Sequence, residues 1–474
     1  MLRRDFLSRM TAAGLGAAAI PTRLRADEPN APAAPRDVIR MAFAGVRGRG
    51  SDLMKEWAKM KDVQIVAIAD PDENVLGKAM KVAADAGGQK PAYEKDIRKI
   101  LDDKSIDAVV VATPNHWHSL ASIWALQAGK HVYCEKPISH NYWEGARLVE
   151  AAKKYNRVCV TGTQRRSSAA IASAIAYMQA GKLGRVKVGR GIYYGKRASI
   201  GKKPDAAVPV GVDYNLWQGP AAEHAFNPNR FHYEWHWNWE YGGGDLANNG
   251  VHYLDVIRWG LNKNELPKRS LSLGGRYLFN DDGVTPNTQL AWYDYGDCQM
   301  MCEIRNFVSE PYRVEKPGVI FECENGYLVA DGTTHAAFDL KWNKIETFTG
   351  GSDHYRRFID ACKKGSLDTP ENHISQGHLT TAVCHIGNIS YRTAEERPFD
   401  GAESLFKDNP TLAEAYGRLT EHLTKSNVDL KTEKIRIGKA LEFDAKTETF
   451  PGDAKATALL RREYRAPFSV PEKV

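Results

Sequence analysis

The chain contains no CxxC pair, and its seven cysteines, Cys134, Cys159, Cys298, Cys302, Cys323, Cys362 and Cys384, are scattered and odd in number. A disulfide framework is thereby excluded. Even Cys298 and Cys302, which share a face of an expected strand, would stand about 13 Å apart, beyond the reach of a bridge. Most of the cysteines are therefore expected to be buried small apolar residues. No apolar run reaches the length of a membrane span; the stretch 10–20 would cross only about half a bilayer core as a helix. No internal repeat is present, and the net charge of +7 is spread along the chain without a basic stripe and interleaved aromatics, so no nucleic-acid partner is expected. What remains is 474 residues of ordinary globular composition, 43% hydrophobic and 26% charged, enough for two or three domains.

The amino terminus carries a twin-arginine pattern, Arg3-Arg4-Asp5-Phe6-Leu7, followed by the apolar stretch 10–20 and a small-residue cleavage site at Ala26. No cysteine follows it, so a lipid anchor is not expected. Residues 1–26 read as an export signal and 27–37 as a linker, which places the mature protein in the periplasm without a stable membrane anchor. A flexible cytosolic extension is the alternative.

Residues 39–70 hold the most informative pattern. An apolar run, 39–44, breaks into Gly45-Val46-Arg47-Gly48-Arg49-Gly50 and resumes with helical spacing at Leu53, Trp57 and Met60; a second apolar run, 63–69, ends in Asp70. Strand, glycine turn, helix, strand and acid make a dinucleotide-binding unit. Glycine lets the backbone turn at positive φ and lets a pyrophosphate approach, while the free N–H groups of the helix face the anion. Asp70, twenty residues beyond Gly50, would accept bonds from the adenosine ribose and repel a 2′-phosphate, so NAD is expected over NADP. The GxxGxG spacing alone would also serve plain strand-to-helix packing; Asp70 decides the reading.

From 39 to about 164 strands (39–44, 63–69, 108–112, 131–134 and 158–161) alternate with helical patterns, which implies a parallel sheet. Ligands gather at the carboxyl ends of such strands, so Thr113, Asn115 and His118 after one strand and Glu135 and Lys136 after the next should border the cofactor. Beyond Arg166 a helix, 169–180, is followed by strand-like runs at 186–194, 271–278, 289–295, 299–305 and 318–322 with few helical crossovers, which argues for a mostly antiparallel sheet. The segment 195–241, rich in Pro, Asn, His and Trp, reads as a long loop over the substrate site. The stretches 355–364 and from 405 onward are expected to wrap the body. The fold class is α/β, with a parallel dinucleotide-binding domain at 38–164, an α+β domain on a mostly antiparallel open sheet at 165–400, and an extension at 401–474.

Cys134-Glu135-Lys136-Pro137, Gly242-Gly243-Gly244 and Gly250-Val251-His252-Tyr253-Leu254-Asp255, in that order, resemble the Gfo/Idh/MocA oxidoreductases, which include glucose-fructose oxidoreductase and inositol dehydrogenase. The resemblance runs from Val38 to about Asp400. It implies an NAD(P)-binding Rossmann domain, a carboxyl-terminal open sheet used to form homo-oligomers, and chemistry on a sugar or cyclitol. Carried over by position, Lys136 matches the catalytic lysine; near a cationic nicotinamide and away from water its pKa should fall, which suits proton exchange with a hydroxyl. Glu135 either orients the cofactor or is a solvated acid. Asn248 and His252 share one helix face, so His252 could exchange a proton with the substrate while Asn248 holds it. The family commonly has aspartate at the position of Asn248, and an amide takes no proton at neutral pH. For His252 the alternative is a packing histidine.

The run Phe231-His232-Tyr233-Glu234-Trp235-His236-Trp237 is dense in rings and hydrogen-bonding groups. Aromatic faces stack on sugar C–H surfaces while polar groups bond hydroxyls, so His232, Trp235, His236, Trp237 and Arg166 join Asn248 and His252 as candidate substrate contacts. The alternative is that half of these rings are interdomain core or oligomer interface. Arg165 and His224 are lesser candidates. His232, Glu234 and His236 would share a strand face with metal-ligand spacing, a weak signal, and no metal is expected. Three functions compete: an NAD-dependent sugar oxidoreductase, a redox-neutral NAD-dependent enzyme that cleaves glycosides, and a non-enzymatic sugar-binding protein.

Overall fold

A computed structural model of the protein describes residues 37–313, 317–366 and 373–474. The expected export signal and the linker up to residue 36 lie outside the described residues. The first sheet has six parallel strands, β1 (Ile39–Ala44), β2 (Val63–Ala69), β3 (Ala92–Glu94), β4 (Ala108–Val111), β5 (His131–Cys134) and β6 (Cys159–Thr161), in the order β3-β2-β1-β4-β5-β6. Helices α1 (Arg49–Ala58), α2 (Leu76–Asp85), α3 (Ile97–Leu101), α4 (Asn115–Gln127) and α5 (Tyr142–Tyr155) cross between them. Every residue of β4 and β5 is buried, as an apolar strand requires when helices cover both faces of its sheet. The strand order reverses at β1 and β4, which opens a crevice beyond their carboxyl ends.

After α6 (Ala169–Gln179), the second sheet forms from β7 (Val186–Tyr194), β8 (Arg269–Gly275), β9 (Thr288–Asp294), β10 (Gln299–Arg305), β11 (Pro317–Cys323), β12 (Tyr327–Asp331), β13 (Ala336–Phe338), β14 (Lys344–Thr347), β15 (Glu395–Pro398), β16 (Lys434–Ile437) and β17 (Leu441–Glu442). Only β7 and β10 pair in parallel; the other neighbours are antiparallel. The segment 195–241 is not featureless, since it contains the short helix α7 (Tyr214–Gln218) and 3-10 turns at Pro228–Arg230 and His232–Trp237. A π-helical turn, Leu246–Gly250, then leads into α8 (Val251–Gly260).

The two sheets share helices. α9 (His354–Lys364), from far along the chain, places Phe358 and Ile359 against Trp57, Tyr133 and Phe43 on one face of the first sheet. α10 (Ile374–Arg392) packs on β6 and α5 of the first sheet and on β8 and α8 of the second. Its approach to β6 needs Gly377, where a Cβ would overlap the Thr161 side chain. In the expected extension, α11 (Pro410–Lys425) covers part of the second sheet's outer face, the short helix α12 (Ala454–Ala458) follows, and Phe468 and Val470 end in the core of the first sheet. All seven cysteines are free and buried. Among the described residues no helix is long and apolar enough to cross a membrane.

The glycine turn follows from two close approaches. Gly45 stands at φ 81°, and a Cβ there would lie 2.7 Å from the Ala112 carbonyl oxygen. A Cβ on Gly50 would overlap the carbonyl oxygen of Gly45, whereas one on Gly48 would meet nothing within 4 Å. Gly50→Ala should therefore destabilise the fold by about 1–3 kcal/mol, and Gly48→Ala should stay within about 0.5 kcal/mol of the parent. Urea unfolding of the two variants checks this contrast; equal stabilities would contradict it.

Candidate active site

A cleft of about 450 Å³ lies at the carboxyl ends of β1, β2, β4 and β5 and is closed on its far side by the segment 195–241 and the start of α8. Gly45, Gly48, Arg49 and Asp70 form one end of its wall. Asp70 is buried and accepts N–H bonds from Val46 at 2.9 Å and Asp72 at 3.0 Å, so it ties the glycine turn to the chain after β2. Burial raises its pKa from 3.8 to about 6, against the two backbone donors, which lower it. Gly50 itself serves the packing of α1 on β1.

The ends of β4 and β5 supply the middle and the far end. Thr113 and Asn115 line the cleft, and the Thr113 hydroxyl is buried without a partner. His118 spans the two strand ends, with Nδ1 2.6 Å from the Pro137 carbonyl and Nε2 2.7 Å from that of Thr113. Glu135 is buried rather than solvated: Oε1 accepts the Arg49 guanidinium at 2.8 Å and Oε2 the Lys136 N–H at 3.1 Å. Its carboxyl packs over Gly162, where a Cβ would come within 2.9 Å of it. The acid thus fastens the glycine turn to the strand that carries Lys136.

Lys136 reaches across to the second domain. Its Nζ donates to the Asn248 carbonyl oxygen at 2.7 Å and lies 3.3 Å from Asn248 Oδ1. Burial lowers the pKa of this amine; the Glu135 carboxylate opposes that shift, and Arg49 and Arg165 add to it. The π-helical turn that bears Asn248 is an arrangement found disproportionately at functional sites. His252 stands one turn on, with a buried Nδ1 that has no partner, and burial followed by the nearby Lys136 and Arg165 holds its pKa well below the usual imidazole value. His236 is likewise pushed down to about 3 by burial, its Nδ1 2.6 Å from the Tyr233 carbonyl, and its ring stacks on that of Trp235 at 3.6 Å. Lys136, Asn248, His252, Trp235 and His236 all line the cleft.

Other expected contacts fall elsewhere. Arg166 lies outside the cleft wall, its Nε 2.7 Å from Asp255 Oδ2 in a buried ion pair against α8. Trp237 is buried with Nε1 donating to Glu234 at 3.0 Å, and it does not line the cleft. Arg165 pairs with Asp331 at 2.8 Å and lies over Tyr253, while His224 is exposed beside Tyr241. His232 does line the cleft, but at the Asp70 end, with Nε2 2.8 Å from Asp72 Oδ2. The strand face that would have grouped His232, Glu234 and His236 is a 3-10 turn, which points them apart, and among the described residues no group of His, Cys, Asp and Glu is placed to hold a metal. Among the lining residues that sequence reasoning missed are Trp117, Leu216 and Trp217 and, in the turn after β6, Gln164, whose buried Oε1 has no partner.

These features fit a dinucleotide. The side of the turn at Gly48 is open, α1 and α4 begin at the cleft, Asp70 keeps lone pairs toward it, and the unpartnered Thr113, Gln164 and His252 atoms await polar groups. Residues 39–163 match the sequence model of the Gfo/Idh/MocA oxidoreductase family with its NAD-binding Rossmann fold, and residues 190–419 match that family's C-terminal alpha/beta domain. The chain belongs to the Gfo/Idh/MocA family. A glycosyl hydrolase family 109 protein of Shewanella pealeana is 30% identical over 174 residues, which cover 33% of this chain and 38% of that protein. A levoglucosan dehydrogenase of Pseudarthrobacter phenanthrenivorans is 35% identical over 130 residues, 27% of this chain and 33% of that protein. The chain thus spans well under half the length of these curated relatives.

Solved structures superpose over more of the chain. Levoglucosan dehydrogenase in complex with NADH and levoglucosan has a TM-score of 0.54 at 18% identity, covering 73% of this chain and 95% of that one. The WlbA dehydrogenase of Bordetella pertussis, in complex with NADH and UDP-GlcNAcA, has a TM-score of 0.53 at 20% identity, covering 73% and 94%. At these identities the likeness is one of fold.

The raised pKa of Asp70 gives a pH signature. Above about pH 6 the group is ionised and repels a 2′-phosphate; below it the neutral acid does not. Discrimination between NAD and NADP should therefore weaken as the pH falls from about 7 to about 5, and Asp70→Asn should discriminate weakly at both. Titrating the nucleotide-free protein with each dinucleotide checks this; an Asp70→Asn variant with the parent's discrimination would contradict it.

Proposed function

We propose that the protein is an NAD-dependent oxidoreductase that acts on a hydroxyl of a sugar, sugar derivative or cyclitol, with NAD held tightly in the cleft. The observation that carries this reading is the meeting of Lys136 with Asn248 and His252 at the opposite end of the cleft from Asp70. Bound NAD supplies the acceptor for the two electrons and the hydrogen that leave the alcohol carbon. Lys136 in its neutral form takes the hydroxyl proton, and its low-dielectric surroundings favour that form. Asn248 holds the amine from its carbonyl side, and His252, kept neutral, is free to bond the reacting oxygen. Trp235, stacked on His236, offers an aromatic face to sugar C–H groups, and Gln164 a polar end to a neighbouring hydroxyl.

A second reading is favoured by Asn248 and by the likeness to a glycosyl hydrolase family 109 protein. In it the sugar carbon is oxidised only transiently, the neighbouring C–H loses its proton to His252, the aglycone leaves, water adds to the resulting double bond, and the carbon is reduced again. Export of the folded protein by the twin-arginine route is proposed from residues 1–26 alone; retention of the chain in the cytoplasm with Arg3 and Arg4 intact would remove it. Self-association through the second sheet is proposed on the family resemblance alone, and a monomer in sedimentation would remove it.

A panel of sugars and glycosides, followed at the absorbance band of reduced nicotinamide, separates the readings: net absorbance change supports oxidation, and sugar release without it supports the redox-neutral route. Lys136→Met and His252→Ala should each lower turnover by about 10²-fold or more while leaving bound nucleotide in place. Full activity in either variant would remove that residue from the chemistry.

A further inference from the structure

The final residues, 420–474, lie beyond both segments matched by the family, yet they return to the segment 195–241 that walls the cleft. After α12 the chain runs along the first sheet's helices: the Leu460 carbonyl accepts the Trp143 N–H at 3.0 Å, and the Tyr464 hydroxyl donates to buried Glu144 at 3.0 Å. Between and beyond these anchors stand two arginines. Arg462 donates to the Glu240 carbonyl at 2.9 Å and to the Glu240 carboxylate, with its side chain only 13% exposed. Arg465 donates to the carbonyl oxygens of Asn215 at 2.7 Å and Gly219 at 3.0 Å and to the Asn215 side chain. Phe468 meets Trp117 edge-on at 5.5 Å, and Trp117 Nε1 in turn reaches the carbonyls of Leu216 and Trp217.

Glu240, Asn215 and Gly219, which the two arginines hold, belong to the segment 195–241, whose Leu216, Trp217, His232, Trp235 and His236 form the outer wall of the cleft. The same segment is pinned to the dinucleotide end: Asp72 pairs with Val212, the Asp213 N–H donates to the Pro71 carbonyl at 2.8 Å, and His232 bonds Asp72. The segment carries a small aromatic core of its own around Trp217 and Phe231, but loops have few backbone ladders, so where it sits on the cleft depends on such anchors. We propose that Arg462 and Arg465 are positioning residues that fasten this wall at its carboxyl end and at α7, so that a dinucleotide in the cleft leaves only when the tail lets go. The proposal rests on the reading that the cleft holds NAD, and it concerns the rate of release rather than the chemistry.

The test uses the full-length protein loaded with NAD. Release is timed by dilution into an excess of an NAD-consuming dehydrogenase, for the parent and for Arg462→Met, Arg465→Met and Glu240→Gln, with Lys455→Met on exposed α12 as control. Arg462→Met and Arg465→Met should each release NAD about tenfold faster or more, because each loses several hydrogen bonds made by a charged group; Glu240→Gln, which keeps an acceptor but loses the charge, should also release it faster, and Lys455→Met should match the parent. Arg465→Lys, with one compact donor in place of a fork, should fall between. Should an arginine variant fail to fold, Glu240→Gln weakens the same contact from the wall's side. Parent-like release from variants that hold NAD, or equal acceleration in Lys455→Met, overturns the proposal and leaves the functional reading standing; a parent protein that holds no NAD contradicts both.

Discussion

The Lys136 amine is partly buried between two domains, and an amine with little water around it must find acceptors within the protein. It finds the carbonyl of Asn248 at 2.7 Å and the same residue's side-chain oxygen at 3.3 Å, both uncharged. That bond joins the end of β5 to the π-helical turn ahead of α8 and so sets the width of the cleft's far end. It also leaves the amine without a carboxylate of its own, since Glu135 next to it is committed to Arg49. An aspartate in place of Asn248 would hold Lys136 charged more firmly; the amide lets burial dominate. The proton-transfer assignment in the proposed reaction depends on this arrangement.

The rest of the cleft separates charge in the same way. At the far end the imidazoles of His252 and His236 are held neutral by burial, and the arginines around them, Arg165, Arg49 and Arg197, are spent on Asp331, Glu135 and Asp245. At the near end the Asp70 carboxyl lines the cleft together with Arg47, Lys95 and Asp96. A ligand with a polar, hydroxyl-rich end and a dinucleotide end suits this distribution. The wall of residues 195–241 encloses both ends together, with Leu216 and Trp217 near α4 and Trp235 and His236 near Lys136.

The first sheet was legible because its signals are local: strand periods, a glycine turn and an acid at the right distance. β3 escaped because three residues, none of them fully buried, carry no period, and the short strands β13 to β15 escaped for the same want of length. Lys136, Asn248 and His252 were found through motif order, yet nothing in the sequence announces a π turn, which is a backbone state. Arg166 and Trp237 were misplaced because residue type suggests binding, whereas their partners Asp255 and Glu234 become visible only in three dimensions. His232 was assigned to the sugar end because it sits in one run of rings and polar groups, whereas a 3-10 turn carries it to Asp72. Gln164 needed no new rule: it follows β6 as Thr113 follows β4, and extending the strand-end argument by one strand would have included it.

The central claim is that one cleft holds a dinucleotide from the glycine turn to Lys136. Native mass spectrometry of the purified, untreated protein tests it most directly. One NAD per chain, released on denaturation and identified by its mass, is the predicted result; a chain that carries no nucleotide and takes up neither NAD nor NADP on titration would contradict the account.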